Sequence, residues 1–208
     1  MSSKGLAVII LDGEVKCAQI AYEDTSPIYG GSNLIQFFKK SIRRDFLTRL
    51  NSCKLLNPEQ AKAKISSLSL DTNKVETEIY SDDAKKLTKQ YPGLSPWLGF
   101  NVFDTIQNSS LGLELLNSYE FAADSLNCNW AYVVDLDKGT FEVYEGFNSE
   151  PLTPEDRFYS LTASSQALKT AGAYYPVKLV KSYALDKLPS KELFQSDFRP
   201  KYKDDDWY

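Results

Sequence analysis

Leu6-Ala7-Val8-Ile9-Ile10-Leu11-Asp12-Gly13-Glu14-Val15-Lys16-Cys17-Ala18-Gln19-Ile20-Ala21-Tyr22 is the stretch on which the architecture turns. Two strand-like runs flank an Asp-Gly pair, and that pair marks a hairpin because both turn positions need positive φ. The first run is apolar on both faces, so its place is inside a sheet rather than at an edge. A second hairpin reads from 130–136 and 140–146, turning through Asp137-Lys138-Gly139. There Phe141, Val143 and Glu145 alternate with Glu142 and Tyr144, the period of a strand.

Helices fill the sequence around these ribbons. Ser32 is expected to cap a helix running to about residue 50, with Leu34, Phe38, Ile42 and Phe46 recurring every four residues and Ile35 and Leu47 widening the stripe. Asn57-Pro58-Glu59-Gln60 has the cap, first-turn proline and returning glutamine of a second start. A short helix is expected from Ser81-Asp82-Asp83 to Pro92-Gly93. Ser95-Pro96 repeats the cap, followed by a face of Leu98, Val102, Phe103 and Ile106. Thr153-Pro154-Glu155-Asp156 reads as another start, with acids where the helix dipole favours them. Residues 175–184 have strand character and 190–194 suggest a last short helix. Residues 66–80 read as loop or edge strand, 111–116 as strand or helix, and 162–172 as a mobile loop. The expected fold is one α+β domain over 1–208, antiparallel hairpins packed against several short helices, with 201–208 a mobile acidic tail.

Composition narrows the chemistry. The 208 residues are 42% hydrophobic and 25% charged, enough apolar material for one core. There is no histidine, which removes Ser–His–Asp and Cys–His nucleophile systems and histidine-ligated zinc, haem and iron. Neither phosphate-cradling glycine pattern occurs, so no cofactor is expected. Cys17, Cys53 and Cys128 are odd in number and widely spaced, which fits reduced intracellular thiols. A net charge of -4 and a pI near 5.0 argue against nucleic acid as partner. No run approaches the ~20 apolar residues of a membrane span, and the apolar run at the N-terminus is short for a signal peptide. A cytoplasmic or nuclear location is expected.

Four groups of residues invite a functional reading. Glu23 and Asp24, with Tyr22 and Tyr29, sit on a proline-containing loop directly after a strand, where sites concentrate. Carboxylates beside aromatic rings bind a polar ring or an amine; the plain alternative is an aspartate capping its own turn. Lys39, Lys40, Arg43 and Arg44 lie off the apolar stripe, either a patch for an anion or acidic partner or simply a solvated face. Asp135 and Asp137 share a strand face, but Asp137 opens a turn, and turn chemistry is the expectation rather than a metal. Trp97 and Trp130 read as packing residues. Trp207, in Asp204-Asp205-Asp206-Trp207-Tyr208, belongs to a tail that either docks as a short motif or frays.

The order of motifs from residue 121 onward resembles a family of uncharacterised proteins widespread in fungi. The resemblance is carried by Phe121-Ala122-Ala123-Asp124-Ser125-Leu126, Trp130-Ala131-Tyr132-Val133-Val134-Asp135-Leu136-Asp137 and Thr140-Phe141-Glu142-Val143-Tyr144-Glu145-Gly146-Phe147-Asn148. Pro151-Leu152, Asp156-Arg157-Phe158, Tyr175-Pro176-Val177-Lys178-Leu179-Val180, Leu188-Pro189-Ser190, Ala18-Gln19 and the spacing from Asp24 to Pro27 and Gly31 extend it over most of the chain. The family implies no activity. Its members follow Ala-Gln with a segment resembling Gln-Trp-Asp-Gly-Tyr-Pro, whereas this chain has Tyr22-Glu23-Asp24-Thr25-Ser26-Pro27, keeping only the aspartate and proline.

The sequence therefore points to a soluble intracellular binding or interaction domain without catalytic activity, its partner a protein or small molecule. The alternative is a histidine-free hydrolase. Its nucleophile would be Ser2, freed by removal of Met1 and using its own α-amine as base, or a carboxylate pair would act as acid and base.

Overall fold

The computed structural model describes residues 3–41, 44–68, 82–95, 98–165, 169 and 174–199. In chain order the elements are β1 (Lys4–Leu11), β2 (Glu14–Ala21), α1 (Ser32–Ser41), α2 (Arg44–Ser52), β3 (Lys54–Leu56), α3 (Pro58–Ser67), α4 (Asp82–Gln90), α5 (Val102–Asn108), β4 (Glu114–Leu116), β5 (Cys128–Asp135), β6 (Thr140–Glu145), β7 (Lys178–Ala184) and α6 (Lys191–Ser196).

Both expected hairpins form. Asp12 and Gly13 take φ of 57° and 72°, the left-handed pair that joins β1 to β2 without splaying the strands. The main sheet runs β2-β1-β5-β6-β7. The apolar run of β1 is indeed internal, but its second partner is β5, and that pairing is parallel. A parallel pair needs a long crossover, and the helices between β2 and β5 supply it. The two hairpin ends are tied together: Asp137 accepts from the backbone N–H of Asp12 at 2.9 Å and of Gly13 at 2.8 Å.

The sheet buries both faces, as an α+β domain requires. On one, α1, α2, α5 and α6 cover Ile9, Cys17, Tyr132, Val134, Phe141 and Val143. Rings of Phe38, Phe103, Phe141 and Phe194 interlock there, mostly edge to face. The other face, Leu6, Val8, Ala131, Val133 and Tyr144, lies under Phe158, Leu152 and the short 3₁₀ segments Tyr119–Ala123 and Tyr159–Ser164. A smaller cluster of Leu56, Ala61, Ile65, Leu87 and Leu94 joins α3 and α4 to the parallel β3–β4 pair.

Several expectations need correction. Helix entry lies upstream of Ser32: Pro27–Gly31 is already one π-helical turn, and the Ser32 hydroxyl points back to the carbonyls of Ile28 and Tyr29 instead of capping. Thr153-Pro154 starts no helix. Asp156 accepts from the Thr153 N–H and hydroxyl, closing a tight turn whose next residue, Arg157, is drawn under the sheet. Residues 66 and 67 belong to α3, whose start has the full reciprocal box between Asn57 and Gln60. Residues 114–116 resolve as strand, and their partner at 54–56 was too short to announce itself. Ile42, Arg43, Pro96, Trp97, residues 69–81, most of 166–173 and the tail 201–208 lie outside the described residues.

Candidate functional site

The loop leaving β2 is held at both ends. Thr25 is fully buried; its N–H donates to Ser3 Oγ at 2.8 Å, and its hydroxyl lies 2.9 Å from the same oxygen. Its carbonyl accepts from the Tyr132 hydroxyl at 2.7 Å, a bond from mid-sheet to loop. The π turn follows, closed by the Gly31 N–H donating to the Ser26 carbonyl at 3.0 Å. Such turns are rare and are often found where a helix has been reshaped for function. Its glycines allow close approach: a Cβ on Gly31 would stand 2.6 Å from the Tyr132 hydroxyl, and one on Gly30 2.7 Å from the Asp24 carbonyl. From the far side, Gln195 of α6 donates to the Ile28 carbonyl at 2.6 Å.

Removing the Tyr132 hydroxyl leaves the Thr25 carbonyl buried without its partner. Tyr132→Phe is expected to cost about 1–2 kcal/mol in urea unfolding. Faster amide exchange confined to 23–31 would accompany it; unchanged exchange there counts against the anchoring role.

So held, the loop forms one wall of a cleft of about 250 Å³. Glu23, Asp24, Tyr29, Asn33 and Phe37 line it on this side, and Phe100, Asn101 and Asp104 on the other. Glu23 Oε1 accepts from the Phe100 N–H at 3.3 Å, in space left by Gly99 at φ 50°. Asp24 Oδ1 accepts from the Ser26 N–H at 3.0 Å, which is the plain turn-capping role; its carboxylate still borders the cleft. Tyr29 is 61% exposed. Three of the four loop residues singled out by sequence thus share the cleft. Tyr22 is not among the residues lining it; it stands 54% exposed beside β1, with Lys4 Nζ 5.6 Å from its ring centre.

Sequence reasoning missed Phe100 and Asp104. Their four-residue spacing was visible, but the neighbouring Val102, Phe103 and Ile106 carried the apolar stripe and took all the weight. In the basic group, Lys39, Lys40 and Arg44 are exposed, with Lys39 Nζ donating to the Pro189 carbonyl at 3.4 Å.

A second charged cluster sits on the opposite face of the sheet. Arg157 reaches Asp135 Oδ2 at 2.7 Å and both oxygens of Glu142 at 2.8 Å. Tyr144 donates to Glu142 at 2.6 Å, Thr140 donates at 2.9 Å, and the Lys138 N–H donates to Asp135. Burial works against both carboxylates, yet for Glu142 the guanidinium and the Tyr144 hydroxyl outweigh it and hold the group below its ordinary range. For Asp135 the Lys138 N–H and Arg157 do the same. Burial, then the Glu142 carboxylate, drive the Tyr144 hydroxyl far upward. Every charge here is matched, so the cluster fastens the 151–164 segment to the sheet. The local turn bond expected of Asp137 is made by Asp135, which accepts from the Lys138 N–H, while Asp137 reaches across to the neighbouring hairpin because that turn's N–H groups of Asp12 and Gly13 point at it. Burial pushes the thiols of Cys17 and Cys128 far above their usual range, leaving both inert.

No protein-family model, curated protein or solved structure matches the chain. Among the described residues no helix is long and apolar enough to cross a membrane, and no group of three acidic or cysteine side chains is placed to hold a metal ion.

Proposed function

We propose that this chain is a non-catalytic intracellular binding domain whose ligand site is the cleft between the loop after β2 and the start of α5. The reading rests on one observation: the fold joins Glu23, Asp24 and Tyr29 to Phe37, Phe100 and Asp104 around a single opening. The lining is mostly polar, with Glu23, Asp24, Asn33, Asn101 and Asp104 beside the rings of Tyr29, Phe37 and Phe100, so a ligand there meets both ring surface and placed polar groups. The resemblance to the fungal family supports it. The two residues kept from that family's motif are the backbone-shaping ones, Asp24 in its turn and Pro27 at the head of the π turn. Glu23, which replaces tryptophan, faces the opening. On this reading relatives keep the loop and vary the ligand.

A thermal-shift screen of small metabolites tests it. A ligand at a hundred times its Kd stabilises by about 2.7 kcal/mol, and Tyr29→Ala is expected to abolish that shift. Turnover of a bound compound, lost in Glu23→Gln, overturns the non-catalytic reading.

A second reading, the histidine-free hydrolase, is favoured by the tie between Ser3 and the loop, which fastens the residue after Ser2 to the cleft wall. Hydrolysis of a simple ester or amide that disappears in Ser2→Ala, in protein whose N-terminal mass shows Met1 removed, would support it; equal rates in both proteins would end it.

A further inference from the structure

We infer that the cleft takes an organic cation: an ammonium or guanidinium group on a short apolar or aromatic stem, about the size of one basic side chain. The inference rests on the cleft being the ligand site. Glu23 and Asp24 stand on one wall and Asp104 on the other, and among the described residues none that lines the cleft is basic. Glu23 and Asp24 each commit one oxygen to a backbone N–H. Among the described residues their second oxygens and the Asp104 carboxylate have no hydrogen-bond or ion-pair partner.

The rings are an independent observation. Tyr29, Phe37 and Phe100 enter from three different elements, and an aromatic face attracts a cation while offering nothing to an anion. The same rings disfavour a hard metal ion, which needs oxygens gathered at about 2–2.6 Å. The acids do not gather: none of the groups among the described residues meets that requirement. Dispersed negative charge beside aromatic rings suits a bulky, weakly hydrated cation. At about 250 Å³ the space falls below that of drug-sized pockets and accepts one such group.

The test is a matched series of 2-phenylethylamine, 2-phenylethanol and phenylacetate, titrated into the full-length protein and read from the backbone amide resonances of Tyr29, Asn33, Phe100 and Asp104. The amine is expected to saturate with a Kd on the order of 1 mM, the alcohol to bind at least about tenfold more weakly, and phenylacetate more weakly still. Added salt weakens the amine alone. Asp104→Asn, an exposed substitution whose spectrum shows whether the fold persists, is expected to weaken the amine about three- to tenfold and leave the alcohol unchanged. If the alcohol or phenylacetate binds as tightly as the amine, or calcium chloride saturates the same resonances at lower concentration, the cation inference fails while the cleft stands. If none of these probes moves those resonances, both fail.

Discussion

Arg157→Met is expected to cost about 3–5 kcal/mol, because it strips the partner from two buried carboxylates and leaves them charged in a poorly solvated place. In a domain of this size that is a drop in Tm of about 10 °C. The pH dependence identifies the cause. Asp135 and Glu142 lie below their ordinary range in the folded chain. The stability they contribute is therefore complete above their unfolded values, ~3.9 and ~4.3, and is lost as pH falls through the folded ones. Without Arg157 burial is opposed only by the Lys138 N–H and charge at Asp135 and by the Tyr144 and Thr140 hydroxyls at Glu142; the carboxyls titrate upward, and acid relieves the strain. The deficit of the variant in urea unfolding should be largest near pH 7 and shrink toward pH 4. A deficit constant from pH 8 to pH 4 would show that the arginine stem matters through packing and that its charge does not.

Phe103→Ala is expected to be comparably severe, about 3–5 kcal/mol, since it empties the middle of the larger core. Phe103 is 1% exposed and sits 5.1 Å, centre to centre, from Phe38 and 5.9 Å from Phe37. Phe37 carries the effect outward, because it also lines the cleft. The milder Phe103→Leu, costing under about 1.5 kcal/mol, keeps the fold and isolates that second effect. It should weaken 2-phenylethylamine binding several-fold while the melting curve remains cooperative. Unaltered binding in Phe103→Leu would mean that the wall formed by Phe37 is held from elsewhere.

What could be read in advance follows the range of the interaction. Asp12-Gly13 demands its turn within two residues, and Asn57 to Gln60 closes its cap within four; both appear in the structure as the sequence implies. The same local logic fails at Ser32, whose hydroxyl finds the carbonyls of a π turn behind it. That turn exists because Gly30 and Gly31 pass against Asp24 and Tyr132, and those contacts span up to a hundred residues. At Thr153 the cap-like pattern is genuine, but burial of Arg157 against Asp135 and Glu142 pulls the chain away from a helix before a second turn can form.

The candidate site divides in the same way. Glu23, Asp24 and Tyr29 were legible because a loop after a strand, carrying acids beside a ring, is a local signature. Phe100, Asp104 and Phe37 were not, since nothing in their own segments distinguishes a cleft wall from a helix surface. The chain's order of residues, taken alone, settles its hairpins, its apolar helix faces and the absence of imidazole chemistry, each a matter of neighbours in sequence. Which strand lies beside β1, which carboxylates are buried and which wall closes the cleft are decided only when distant segments compete to leave water together.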